Sequence, residues 1–121
     1  MATVILYREG DGVPILSWFE EIPARARMNC LERLRLLEQF GQDLRRPHAA
    51  LLRDGIHELR AKRDGVNYRM LYFFAGTSAI VVTHGILKQR ASVPPVEIER
   101  AVRRRARFIA DPASHTFKPG A

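Results

Sequence analysis

Three apolar runs in the second half of the chain, 56–62, 66–74 and 79–87, have almost no freedom in how they connect. Asp64-Gly65 separates the first two, and Ala75-Gly76-Thr77-Ser78 the second and third. Both links are too short for a crossover and carry residue types that reverse a chain. The runs are therefore predicted to lie side by side as a three-stranded antiparallel meander. A chain of 121 residues has room for one modest core of this kind and not for two.

Upstream the hydrophobic period is helical. Residues 3–8 begin with β-branched side chains and predict a first strand, and Gly10-Asp11-Gly12 predicts a turn. Ile15, Leu16 and Phe19 form the apolar side of a short helix over 14–21. Pro23 fits the first turn of a second helix ending near Phe40, with Met28, Leu31, Leu34 and Leu37 at helical spacing and Gly41 as its stop. Together they predict a helical hairpin. Pro94-Pro95 opens a last helix to about Ala110, with Ile98, Ala101, Val102 and Ile109 inward. Residues 111–121, with two prolines and a glycine, read as a loose tail after a single domain spanning 1–110. The order is an N-terminal strand, helical hairpin, meander and C-terminal helix, an α+β class.

Charge narrows the function classes. Twenty basic against 13 acidic residues give a net charge of +7, which favours an anionic partner. No run approaches the roughly 18 apolar residues of a membrane span, and no secretory pattern follows Met1, so a cytoplasmic protein without membrane association is expected. The single cysteine, Cys30, excludes an internal disulfide and fits a small core position.

Strand alternation decides which side chains can meet. Glu58, Arg60 and Lys62 share one face of the 56–62 strand while His57, Leu59 and Ala61 share the other, which predicts a sheet covered by helices on one side. Arg69 stands in an apolar run, where an unpaired guanidinium is costly to bury. Either a structural ion pair with Glu58 or a phosphate clamp accounts for it. Tyr72 fits a core position with a hydrogen-bonded hydroxyl, or an RNA base-stacking role. His84, flanked by apolar residues, fits a satisfied core group more often than a catalyst. Lys88 ends its strand, a natural place for an exposed cation. Arg100, Arg103, Arg104, Arg105 and Arg107 crowd one stretch of the last helix with no acid among them, which points to nucleic-acid phosphates or an acidic partner.

The chain has no phosphate-binding glycine loop, no H-E-x-x-H, no nucleophile elbow and no carboxylate cluster for magnesium. Any nuclease activity is therefore expected to need no metal and no cofactor. RNA permits this, because its 2′-hydroxyl can attack the adjacent phosphate. The protein then supplies a base, cations and an acid, for which arginine, lysine, histidine and tyrosine are suitable.

Four segments resemble the RelE/ParE toxin superfamily, in particular its phage-derived HigB-like branch. They are the 52–60 strand (Leu-Arg-Asp-Gly-Ile-His-Glu-Leu-Arg), the 68–73 strand (Tyr-Arg-Met-Leu-Tyr-Phe), the 84–89 strand end (His-Gly-Ile-Leu-Lys-Gln) and the 94–101 helix opening (Pro-Pro-Val-Glu-Ile-Glu-Arg-Ala). The 41–47 segment is similar to the family's loop after the helical hairpin. The resemblance implies a small RelE-like fold. It also implies the toxin of a type II toxin–antitoxin pair, neutralised by a helix-turn-helix antitoxin in a hetero-oligomer. The implied activity is ribosome-dependent, metal-independent cleavage of mRNA. By position, Arg60 and Arg69 would stabilise the scissile phosphate, Lys88 with His84 would assist proton transfer, and Lys62 and Tyr72 would hold RNA. Arg90, Arg100, Arg103, Arg104 and Arg105 would add phosphate contacts. Gln89 stands where the family has a second lysine, with Arg90 next to it, and Ile86 replaces an aromatic. These departures leave open a ParE-like inhibitor of DNA gyrase, or a basic nucleic-acid-binding module that does not cleave.

Overall fold

The computed structural model describes residues 2–88 and 92–118. Its strands are β1 (Thr3–Tyr7), β2 (Ala49–Arg53), β3 (Ile56–Arg63), β4 (Val66–Ala75), β5 (Ala79–Lys88) and β6 (Thr116–Phe117), and its helices are α1 (Pro14–Glu21), α2 (Ala24–Phe40) and α3 (Pro95–Ala110). β3, β4 and β5 form consecutive antiparallel pairs. Asp64 and Gly65 make the β3–β4 reversal with φ of 51° and 80°. Two left-handed residues in a two-residue hairpin turn match the right-handed twist of the strands, which is why Asp-Gly serves here.

The class is α+β, but the meander is only the centre of a wider sheet. The observed order is β2-β3-β4-β5-β1-β6. β2 joins β3 through Asp54 and Gly55, with φ of 54° and 75°, the same turn chemistry as the β3–β4 link. β1 lies parallel to β5, and β6 pairs antiparallel with β1 at Leu6 and Tyr7. Residues 111–118 therefore depart from the expected loose tail. Pro112–His115 forms a 3₁₀ turn, Arg8 N–H donates to the His115 carbonyl at 3.0 Å, and the His115 ring stacks on Tyr7 at 5.2 Å.

Helices cover both faces, not one. On one face Ile15, Trp18, Phe19, Cys30 and Leu37 of α1 and α2 pack with Leu59, Met70, Tyr72 and Val82. On the other, Ile98, Ala101 and Phe108 of α3 pack with Ile56, Leu71, Phe73 and Val81. β4 carries large apolar residues in both parities, as a doubly covered strand must. In α3 Phe108 is the inward residue and Ile109 is exposed, and in α2 Met28 is 69% exposed. The face of α2 is turned by its polar side chains. Asn29 Nδ2 donates to the Lys62 carbonyl at 3.0 Å and Arg33 Nε to the Arg60 carbonyl at 3.2 Å. β2 pairs with β3 only as far as Leu59, so these two side chains occupy an edge that would otherwise be open. Among the described residues no helix is long and apolar enough to cross a membrane.

α1 meets the sheet at Gly85, where an added Cβ would lie 2.3 Å from the Trp18 ring. Gly85→Ala is expected to destabilise the protein by about 1–3 kcal/mol through overpacking. Urea denaturation checks this, and an unchanged midpoint would mean that Trp18 yields without cost.

Candidate functional site

The ladders of β3, β4 and β5 set side chains in rows across the α3 face. Arg60 stands opposite Arg69, and Arg69 opposite Ile86. The row on one side holds Glu58, Leu71 and His84, and on the other Lys62, Asn67 and Lys88. Two arginines facing each other across a ladder repel unless an anion intervenes. Glu58, only 3% exposed, supplies it, with Oε1 2.8 Å from Arg69 Nε and Oε2 3.1 Å from Arg60 Nη2. Burial lowers the pKa of Arg69, Glu58 opposes that shift and Arg60 adds to it; a guanidinium nevertheless remains charged.

The trio therefore keeps one positive charge more than it neutralises. Arg69 is 9% exposed, whereas Arg60 is half-buried, and its Nε is sealed without a hydrogen-bond partner among the described residues. Lys62 is exposed in the next row. Lys88 closes β5 at the register position opposite Asn67. Its side chain, Gln89 and Arg90 lie outside the described residues. Arg60 and Lys62 thus present positive charge in adjoining rows at one end of the sheet, and such groups can make charge-assisted hydrogen bonds to an anion. No three histidine, cysteine, aspartate or glutamate side chains converge as a metal-ligand set among the described residues.

Residues 17–106, from α1 through most of α3, match the model of the phage-derived Gp49-like proteins (DUF891). The chain belongs to this family. The Gp49-like family is associated with RelE- and toxin-like proteins. A comparison with curated proteins gave no match. The matched span holds Glu58, Arg60, Lys62 and Arg69, so these residues belong to the Gp49-like domain itself.

Other residues singled out in the Gp49-like sequence lie elsewhere or serve the fold. Tyr72 is 1% exposed and sits on the α1–α2 face, opposite to Arg60 and Arg69, with its pKa pushed up to about 12 by burial. It is a core residue with no surface for a base. His84 is 5% exposed and faces α3, with Nδ1 2.9 Å from Thr83 Oγ1 and Nε2 3.2 Å from Glu97 Oε1. Burial, with Arg104 and Arg100, pushes its pKa down to about 3. The ring is thus neutral, and the Glu97 contact is a hydrogen bond and not an ion pair. A carboxylate only accepts, so Nε2 carries the proton, and the one Thr83 hydroxyl proton serves both His84 Nδ1 at 2.9 Å and the Leu71 carbonyl at 3.2 Å. Both nitrogens are engaged, which makes His84 a fastener of α3 and not a proton donor at neutral pH.

The α3 arginines also turn inward more than their number implied. Arg100 Nη1 pairs with Glu97 at 2.8 Å. Arg104 donates to the Thr83 carbonyl at 3.3 Å and lies 5.6 Å from the centre of the Tyr7 ring. Arg105 donates to the Asp54 carbonyl. Arg103 is exposed and makes no hydrogen bond or ion pair among the described residues. Asn29, Arg33, Thr83 and Glu97 act as positioning groups that had no assigned role in the sequence. Asn29 and Arg33 have no pattern-level signal, since each acts on a strand distant in the chain, whereas Glu97 stands in the 94–101 motif and Thr83 next to His84.

Two outcomes test this geometry. Glu58→Gln leaves Arg60 and Arg69 facing each other without an anion, and is expected to cost about 3 kcal/mol in chemical denaturation, the low end for a broken buried pair because Arg60 keeps solvent contact. A change below roughly 1 kcal/mol would mean that solvent replaces the carboxylate. For His84, the folded pKa of about 3 lies below the ordinary 6.5, so unfolding takes up a proton as pH falls below 6.5. Its contribution to stability is full above pH 6.5 and declines toward pH 3. His84→Gln should therefore lose stability less steeply than the wild type over that window, and identical slopes would show that the ring does not titrate as described.

Proposed function

We propose that this Gp49-like protein is the toxin of a type II toxin–antitoxin pair and an mRNA endoribonuclease acting on the ribosome. Facing Arg60 and Arg69, aligned by buried Glu58, carry this reading. In RNA cleavage by the 2′-hydroxyl, negative charge develops on the non-bridging oxygens of the scissile phosphate, and pre-aligned cations lower that barrier without reorganising. Arg60, the more accessible of the two, binds the phosphate. Arg69 holds the potential positive from beneath and Lys62 holds the neighbouring backbone. Lys88 supplies charge or proton transfer at the end of the row. The 2′-hydroxyl attacks the scissile phosphorus as the bond to the 5′-oxygen breaks, leaving a 2′,3′-cyclic phosphate and a 5′-hydroxyl. No metal or cofactor is assigned to the step. A helix-turn-helix antitoxin neutralises the toxin in a hetero-oligomer.

A second reading has an observation of its own. Among the described residues His84 and Tyr72 are both sealed in packed surroundings, so neither exchanges protons with a substrate. This favours a binder that does not cleave, either a basic nucleic-acid module or a ParE-like gyrase inhibitor.

Inducible expression separates the two. Wild type should arrest growth and produce new in-frame mRNA ends within minutes, while Arg60→Gln, folded by circular dichroism, should lower cleavage by roughly 100-fold or more, the loss typical of one transition-state donor. Arrest with intact mRNA would sink the nuclease reading and move the target to gyrase or another anionic surface.

A further inference from the structure

We propose that the cleft beside His57, on the sheet face opposite Arg60 and Arg69, takes one nucleotide of single-stranded RNA, its base against the imidazole and its phosphate on Arg45 and Arg46. The inference rests on the RNA-directed function proposed above and adds a second RNA contact to it.

The cleft, about 570 Å³, lies between the segment after α2 and the β2–β3 hairpin and is lined by Gln42, Leu44, Arg45, Arg46, Leu51 and His57, among others. That volume falls within the ~300–1,000 Å³ of small-ligand pockets. His57 is locked in place. Its ring stacks on Tyr72 at 5.1 Å and 18°, and meets Phe74 edge-on at 5.0 Å and 85°. Tyr72 is thus the buried base of a ring stack whose half-buried outer member lines the cleft. Neither nitrogen of His57 has a hydrogen-bond partner among the described residues. Burial lowers its pKa, so the neutral ring offers one donor and one acceptor.

Arg45 and Arg46 are exposed, pair with no carboxylate among the described residues, and no acidic side chain lines the cleft. A flat ring held rigid beside unpaired guanidinium groups is the combination that binds unstacked bases and their phosphates. An acidic peptide would satisfy the arginines but would leave the stacked ring without a planar partner.

An amide-resolved NMR titration of the full chain with a pentaribonucleotide tests the site, with adenosine 5′-monophosphate and hexaglutamate as parallel probes. Shifts at Ala50, Leu51 and His57 are expected with the pentaribonucleotide. They should be retained in Arg60→Gln, with binding weakened roughly tenfold or more in His57→Ala and in Arg45→Gln/Arg46→Gln. The arginine double variant changes only exposed side chains, so its result does not depend on the packing of His57. Equal affinity for the mononucleotide would overturn the RNA assignment in favour of a free nucleotide, and equal affinity for hexaglutamate would overturn the nucleotide assignment. Shifts confined to Arg60 and Arg69 would remove the cleft while leaving the RNA reading intact. No shift at either place would remove the cleft and leave the function to mRNA-end mapping alone.

Discussion

A slip of one residue in the β3–β4 ladder would carry Glu58, Arg60 and Lys62 under α1 and α2 and turn Leu59 and Ala61 toward α3. Register is therefore the constraint on which the rest depends. The two-residue Asp-Gly turns at both ends of β3 set it, and large apolar residues in both parities of β4 reinforce it from both faces. Within that register a carboxylate must stand beside the two facing arginines, and Glu58 occupies the place. The ion cluster is a consequence of sheet geometry before it is a candidate site.

The basic residues divide into two groups by what surrounds them. Along α3, Arg104 joins the helix to β5 and lies beside Tyr7 of β1, Arg105 joins it to the β2–β3 turn, and Arg100 pairs with Glu97 of the same helix. The neutral His84 ring adds a hydrogen bond to the Glu97 carboxylate at the same junction. Arg60, Lys62 and Arg103 keep surface that the fold does not use, as do Arg45 and Arg46 on the opposite face. Net charge alone does not distinguish these groups, because an arginine bonded to a carbonyl and one facing solvent add equally to +7.

Much of the local structure was legible. The three helices and β1, β3, β4 and β5 lie within a residue or two of the predicted bounds, because each has a clear period or turn. β2 was missed although Asp54-Gly55 repeats the Asp64-Gly65 signal, since Ala49-Ala50-Leu51-Leu52 lacks β-branched residues and becomes a strand only by pairing with β3. β6 has two residues and no local signature, and it is held by β1 and by the stacking of His115 on Tyr7. Of the site, the shared face of Glu58, Arg60 and Lys62 followed from alternation, and an Arg69–Glu58 ion pair was one of two readings of Arg69. The facing of Arg60 and Arg69 comes instead from the strand register. Tyr72 takes the core position its apolar run offered, and the helices over its face leave no surface for the alternative of base stacking.

What the sequence determined by itself is local: the hydrophobic period, the turn chemistry, the shared face of Glu58, Arg60 and Lys62, and a positive charge. Tertiary structure alone decided that β1 runs parallel to β5, that helices close both faces, and that His84 and Arg104 serve the junction with α3. The reason is physical. Period and turns act over a few residues and are written into the chain, whereas burial and pairing depend on which distant segment arrives, and that is settled only when the whole core packs.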